Sequence, residues 1–197
     1  MARIVFVTHP EVVIDPAVPV PQWPLSAKGR ARMEAFLAHP VLTGVRAVAS
    51  SGERKARDGA EIIAAHFSLP ILVDEELGEN DRSATGYIAP PEFWEVVDAF
   101  FARSQESVRG WERAADAQAR ILRAVTRIAR RADIAGDVAV VSHGGVGTLL
   151  LAYLSGVPDA RSLAQPHGGG GCYFVIDRES MRLVEGWRVI DRGGPMA

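Results

Sequence analysis

Two histidines stand directly behind apolar, β-branched runs: His9 follows Ile4-Val5-Phe6-Val7-Thr8, and His143 follows Val138-Ala139-Val140-Val141-Ser142. A third apolar run over residues 45–49 ends in Ser50-Ser51. Imidazole titrates near neutral pH, so a well-placed histidine serves as a nucleophile, a proton carrier or a metal ligand. Apolar runs without polar alternation suit strands buried on both faces, as in a parallel sheet. Ligands of open parallel sheets bind beyond the carboxyl ends of the strands. The pattern therefore predicts that both histidines and the paired serines line one sheet edge and face one cleft. The chain has no His-x-x-x-His or Cys-x-x-Cys spacing, which argues against zinc. Gly144-Gly145-Val146-Gly147 lacks the full G-x-G-x-x-G pattern, which argues against a dinucleotide site.

The elements that must position these groups alternate. Strands are predicted over residues 3–7, 45–49, 71–73 and 138–141. Between them run helices with apolar residues at helical spacing. One starts at a Ser26 cap and carries Met33, Phe36 and Leu37, and a second carries Ala56, Ala60, Ile63, Ala64 and Phe67. Two more are marked by Phe93, Val96, Val97, Phe100 and Phe101, and by Ala114, Ala117, Ile121, Val125 and Ile128. A fifth covers about residues 146–154. The proline-rich stretch 16–24 and the polar stretch 74–91 read as loop, and residues 172–176 and 182–189 read as an antiparallel hairpin at a sheet edge. This order predicts a three-layer α/β/α fold around a mainly parallel central sheet, with residues 74–111 forming a partial lid over the strand ends.

The chain has 197 residues, 48% of them hydrophobic, and a net charge of -2. That balance gives no footprint for nucleic acid. The arginine cluster from Arg120 to Arg131 reads as a solvated helix face, offset by nearby acids. No segment approaches the ~20 apolar residues that span a bilayer, and the N-terminus lacks a signal-peptide layout, so no membrane partner is expected and residence is expected to be cytoplasmic. The single cysteine, Cys172, excludes an internal disulfide and reads as a buried thiol. The C-terminal hairpin offers an edge for a homodimer contact.

Four pieces recur in a fixed order: Thr8-His9-Pro10; Pro24-Leu25-Ser26 with Gly29; Ser50-Ser51-Gly52 running to Lys55-Ala56 and Ala60-Glu61; and Val140-Val141-Ser142-His143-Gly144-Gly145. Together they resemble the histidine phosphatase superfamily, the phosphoglycerate-mutase-like proteins, over nearly the whole chain. The resemblance implies a phosphoglycerate-mutase-like single domain over residues 1–197, acting on a small phosphorylated substrate or inorganic phosphate without metal or cofactor. It implies His9 as phosphoryl acceptor, with His143 and the Gly144 N–H holding phosphoryl oxygens. Glu79 is implied as the acid, with Glu76 and Asp81 as rivals.

The resemblance also has departures. Thr8 and Lys55 stand where the family has arginines, Pro10 where it has glycine, and Gly59 where it has threonine. Arg and Lys are not interchangeable at a bidentate oxyanion site, so Arg54 or Arg57 is a candidate substitute. The expected function is a phosphomonoester hydrolase working through a phosphohistidine, weakened by the altered pocket. The alternative is a catalytically impaired phosphate-binding or anion-binding module of the same fold. Ser50 and Ser51 are expected to cap the following helix, His39 and His66 to complement helix ends, and His167 to flank the cleft beside the glycine loop 168–171.

Overall fold

A computed structural model describes residues 2–166 and 169–191. His167 and the first glycine of the 168–171 loop lie outside the described residues. Six strands form one sheet in the order β3-β2-β4-β1-β5-β6. They are β1 (Arg3–Thr8), β2 (Val45–Ser50), β3 (Ile71–Val73), β4 (Asp137–Ser142), β5 (Cys172–Asp177) and β6 (Leu183–Val189). The pairs β1–β4, β2–β4 and β2–β3 are parallel, whereas β5 and β6 join antiparallel, as the hairpin pattern predicts.

The helices are α1 (Ala27–Phe36), α2 (Arg54–Phe67), α3 (Glu92–Ala102), α4 (Ala114–Ala129) and α5 (Gly144–Ser155). Strand side chains alternate between two apolar clusters. Val5, Val7, Ala139, Val141, Tyr173 and Val175 pack with Met33 and Phe36 of α1 and Ala56, Ala60 and Ile63 of α2. Ile4, Phe6, Val138, Val140, Phe174 and Ile176 pack with α3, α4 and α5 through residues such as Phe100, Ile121 and Leu150. The architecture is therefore three-layered, because a period-two strand must find apolar cover on both faces when neither side is polar. Fully burying each such side chain is worth about 1.5–3 kcal/mol, so a one-residue slip would misplace a whole row.

Register levels the strand ends. Thr8 stands opposite Ser142, and Ser50 opposite Val141, so the three polar termini share one edge of the sheet. Helix α1 begins at Ser26, whose hydroxyl accepts the Gly29 N–H at 3.0 Å. Helix α5 begins two residues earlier than the apolar spacing suggests, directly after His143. Gly147 lets it close on the sheet: a Cβ there would meet the Phe6 ring at 2.8 Å and Trp187 at 3.0 Å. Short 3-10 turns interrupt the two expected loops, at Val20–Gln22 and Glu75–Leu77. Within the second, Leu77 is fully buried in the α3–α5 cluster, and its carbonyl accepts the Ser142 hydroxyl at 2.7 Å. Among the described residues no helix is long and apolar enough to cross a membrane.

Candidate active site

His9 leaves the end of β1 with its backbone N–H donated to Ser142 at 3.1 Å. Its ring nitrogen Nδ1 lies 2.9 Å from the Pro10 carbonyl oxygen. A carbonyl only accepts, so Nδ1 carries the hydrogen and Nε2 presents a bare lone pair. Burial, with His143 and Lys55 nearby, lowers the His9 pKa to about 3, so the ring is neutral at physiological pH. Glycine is required behind it. Gly170 has a positive φ of 71°, and a Cβ there would fall 2.1 Å from the His9 carbonyl oxygen.

His143 precedes the first turn of α5 and is fully buried. Its ring centroid lies 5.1 Å from that of His9, at an interplanar angle of 67°. Nε2 sits 2.7 Å from the Ser51 hydroxyl and 3.3 Å from Glu53 Oε1. Nδ1 is buried with no partner among the described residues. An unsatisfied buried polar atom costs about 1–3 kcal/mol and marks a place where a ligand is expected. Burial lowers the His143 pKa, opposed by Glu53 and Glu79 and assisted by Lys55 and Arg82.

Glu53 is unannounced by the sequence. It sits just before α2, where an acid ordinarily complements the helix dipole. Here its carboxylate turns inward instead: Oε1 accepts the Glu79 N–H at 2.8 Å, and Oε2 pairs with Lys55 Nζ. Burial pushes this carboxyl up, but His143, Lys55 and the Glu79 N–H outweigh it and hold it below the ordinary range. Lys55, 4% exposed, gives another hydrogen bond to the Val20 carbonyl at 2.9 Å. Lys55 thus lies close enough to act on His9, but it already carries a counter-ion.

Glu79 reaches the N-terminus of α5. Its carboxylate accepts the N–H groups of Gly145 and Val146, both at 2.9 Å, and lies 3.3 Å from Arg82 Nη2. Burial raises this carboxyl, but Arg82, His143 and the Gly145 N–H together hold it below its usual range. The rivals are engaged elsewhere. Glu76 binds Arg123 and Arg127, and Asp81 accepts the Ser83 N–H in an exposed turn. Beside Glu79 opens a cleft of about 520 Å³ lined by Glu75, Asp81, Trp111, Glu112 and Arg120.

Several expected contributors are not free to serve. The Thr8 hydroxyl is buried, lying 2.9 Å from Gln165 Oε1 while accepting the Cys172 N–H at 3.0 Å. It braces β5 rather than facing an anion. Arg54 is 60% exposed and bound to Asp58, and Arg57 faces Glu61 in solvent, so neither guanidinium enters the pocket. Gly144 lies against Gln165, and the α5 N–H groups that hold the carboxylate are those of Gly145 and Val146. Ser50 donates to the Ser51 carbonyl. Ser51 accepts the Glu53 N–H only at 3.3 Å, and its shorter contact is to His143. The expected capping role therefore gives way to a place in the site.

Two arginines complete the surroundings. Arg82 donates to Asn80 Oδ1 at 3.0 Å and stacks over Phe93 and Trp111 at 5.3 and 5.0 Å, while Asn80 Nδ2 is buried without a partner among the described residues. Arg120, expected in a solvated face, is only 17% exposed and donates to the carbonyl oxygens of Glu76, Gly78 and Glu79. With Arg123 and Arg127 it ties the Glu79 loop to α4. Only Arg120's position in a helical arginine cluster hinted at this. Arg82 gave no signal, because it lies in an unpatterned loop. Among the described residues no group of three or more His, Cys, Asp or Glu is arranged to hold a metal ion.

The order of strands and the layered fold agree with what comparison shows. Residues 18–186 match the family model described as histidine phosphatase superfamily (branch 1), and the chain belongs to that superfamily. His9 lies upstream of the matched stretch, and it is β1 that carries it into the site. No curated protein matches the chain.

Solved structures share the fold at low identity. YhfR of Bacillus stearothermophilus is 22% identical, with a TM-score of 0.77 over 94% of this chain and 95% of its own. A mycobacterial glucosyl-3-phosphoglycerate phosphatase, solved in complex with inorganic phosphate, is 23% identical, with a TM-score of 0.74 over 95% of each chain. The alpha-ribazole phosphatase of Shigella flexneri is 19% identical, with a TM-score of 0.70 over 98% of this chain and all of its own.

Proposed function

We propose that this protein hydrolyses a small phosphomonoester through a phosphohistidine at His9. The observation that carries the reading is the His9 tautomer: Nδ1–H is held by Pro10, and Nε2 is bare beside His143. A neutral imidazole with a fixed lone pair is a competent nucleophile at neutral pH. In the first step Nε2 bonds to phosphorus, the ester P–O bond breaks, and Glu79 delivers a proton to the leaving oxygen. In the second step the Glu79 carboxylate takes a proton from water, which attacks phosphorus and frees His9. Glu79 rests ionised, so the proton it hands to the leaving oxygen arrives on the monoanion of the substrate, and the proton it takes from water in the second step leaves with the phosphate product. The phosphoryl oxygens, where charge spreads in the transition state, are held by His143. Residues 74–111, which supply Glu79 and Arg82, serve as a partial lid. That a mycobacterial phosphatase of this fold is solved in complex with inorganic phosphate and with VO3 supports an anion as ligand.

A second reading, an anion-binding module with little turnover, draws on one specific observation: Lys55 is paired with Glu53, and the Thr8 hydroxyl is engaged by Gln165 and Cys172. Each charged donor missing from an oxyanion site costs about 3 kcal/mol of transition-state stabilisation. A panel of phosphomonoesters assayed with wild type and His9→Ala, combined with trapping of an acid-labile phosphoenzyme, separates the two. Turnover and label that vanish in His9→Ala support the hydrolase. Phosphate binding without turnover or label in the wild type supports the module.

A further inference from the structure

We propose that Glu53 is a positioning residue that couples anion binding to protonation, so that a tetrahedral dianion entering between His9 and His143 is bound together with one proton taken from solvent onto His143 Nδ1. The inference rests on the phosphatase reading for where the anion sits, not for whether it turns over.

Geometry assigns the resting proton. His143 Nε2 faces the Ser51 hydroxyl at 2.7 Å and Glu53 Oε1 at 3.3 Å. A carboxylate only accepts, so the hydrogen belongs on Nε2. Nδ1 is then a bare lone pair, buried and without a partner among the described residues. A bare lone pair repels an anion, whereas the same atom protonated donates to it with charge assistance.

The surrounding charges leave this atom the task. His143 is faced by His9 from β1, by Glu53 and Lys55 from the start of α2, and by Glu79 and Arg82 from the following loop. Lys55 is paired with Glu53, and Arg82 is held by Glu79 and Asn80, so each of these cations is matched by an acid. His9 must stay neutral to attack. Of the described groups facing the anion position, the His143 ring is the one that can add a positive charge when a dianion arrives. In the empty site burial, Lys55 and Arg82 favour the neutral ring, while Glu53 and Glu79 oppose them. Two further negative charges tip that balance. Glu53 then holds the imidazolium by its Nε2–H, as a carboxylate orients and stabilises a histidine in other acid–base pairs.

Sulfate is the probe, because it remains a dianion across the neutral range and contributes no titration of its own. Full-length protein labelled with 15N-histidine is observed by long-range 1H–15N NMR. Near neutral pH the unliganded His143 ring should show one protonated and one bare nitrogen. Saturating sulfate should convert it to imidazolium, and between the His143 pKa of the free protein and that of the complex sulfate affinity should fall about tenfold per pH unit. In Glu53→Gln the ring should stay neutral at the same pH and the pH slope of binding should flatten, whatever the absolute affinity. Glu61→Gln, which removes an exposed acid on α2, should keep both signatures.

A sulfate-saturated wild type with a neutral His143 ring overturns the proposal. So does an unchanged pH slope in Glu53→Gln, or sulfate that perturbs neither ring. Should Glu53→Gln fail to fold, the ring state of the wild type decides alone. Failure of the hydrolase reading is distinct: it appears as absent turnover with proton-coupled sulfate binding intact.

Discussion

Glu79 and Gly145 stand 66 residues apart in the chain, yet the Glu79 carboxylate accepts the Gly145 N–H at 2.9 Å, seating the acid on the first turn of α5. The seat depends on glycine, because a Cβ at 145 would lie 2.6 Å from Glu79 Oε1. Gly145→Ala should therefore displace the carboxylate while leaving the helix intact. Turnover of a phosphomonoester should fall by about 10²–10⁴, the usual contribution of a general acid–base group, and Glu79→Gln should lose a similar amount. Equal circular dichroism with full activity in Gly145→Ala would show that this seat is not used.

Arg120 bridges α4 to three consecutive parts of the Glu79 loop and also pairs with Glu112. Hydrogen bonds to charged groups are worth about 1.5–3 kcal/mol each, and some are replaced by water on truncation. Arg120→Ala should lower unfolding free energy by about 2–4 kcal/mol. Its kcat should fall more than its phosphate affinity weakens, since the loop positions the acid rather than His9. Urea titration and steady-state kinetics on the same preparation test both parts.

Restoring arginine at position 8 should not restore a stronger pocket. Thr8 is 1% exposed and its hydroxyl joins Gln165 and Cys172 across β1 and β5. A guanidinium there overpacks the strand end and breaks these bonds, so Thr8→Arg should lose about 1–3 kcal/mol of stability with no gain in kcat/KM. A rise in kcat/KM at unchanged Tm would refute the packing argument.

Acid should weaken the fold before its carboxylates titrate. The His9 pKa lies at about 3 in the fold against 6.5 in the unfolded chain, and His143 is lowered as well. Between these values the unfolded chain binds protons that the fold refuses. This contribution to stability is complete above pH 6.5 and declines as pH falls towards 3. His9 is half-buried as a residue, so the discounted loss between about pH 7.5 and 5 is about 1 kcal/mol. His9→Asn should flatten that part of the pH–stability curve, measured by urea midpoints; an unchanged slope would place the linkage elsewhere.

The layers were readable in advance because apolar runs without polar alternation need cover on both faces, and the strands at residues 3–8, 45–50 and 137–142 obtain it from helices on either side. Strand ends located His9 and His143, and the order of motifs located Lys55 and Glu79. The hairpin followed from two apolar runs around Asp177-Arg178-Glu179-Ser180.

What the residues alone determined was where backbone periodicity brings the chain: which segments are strands, which are helices, and which strand ends share an edge. Only tertiary structure decided which way neighbouring side chains face once there. Successive residues on a helix diverge by about 100°, so α2, starting at Arg54, sends Lys55 into the pocket and Arg54 out to Asp58. The path of an unpatterned loop decided that Arg82 meets Glu79, and packing of β5 against β1 decided that Thr8 binds Cys172. These contacts are set by docking between elements distant in sequence, and local spacing carries no record of it.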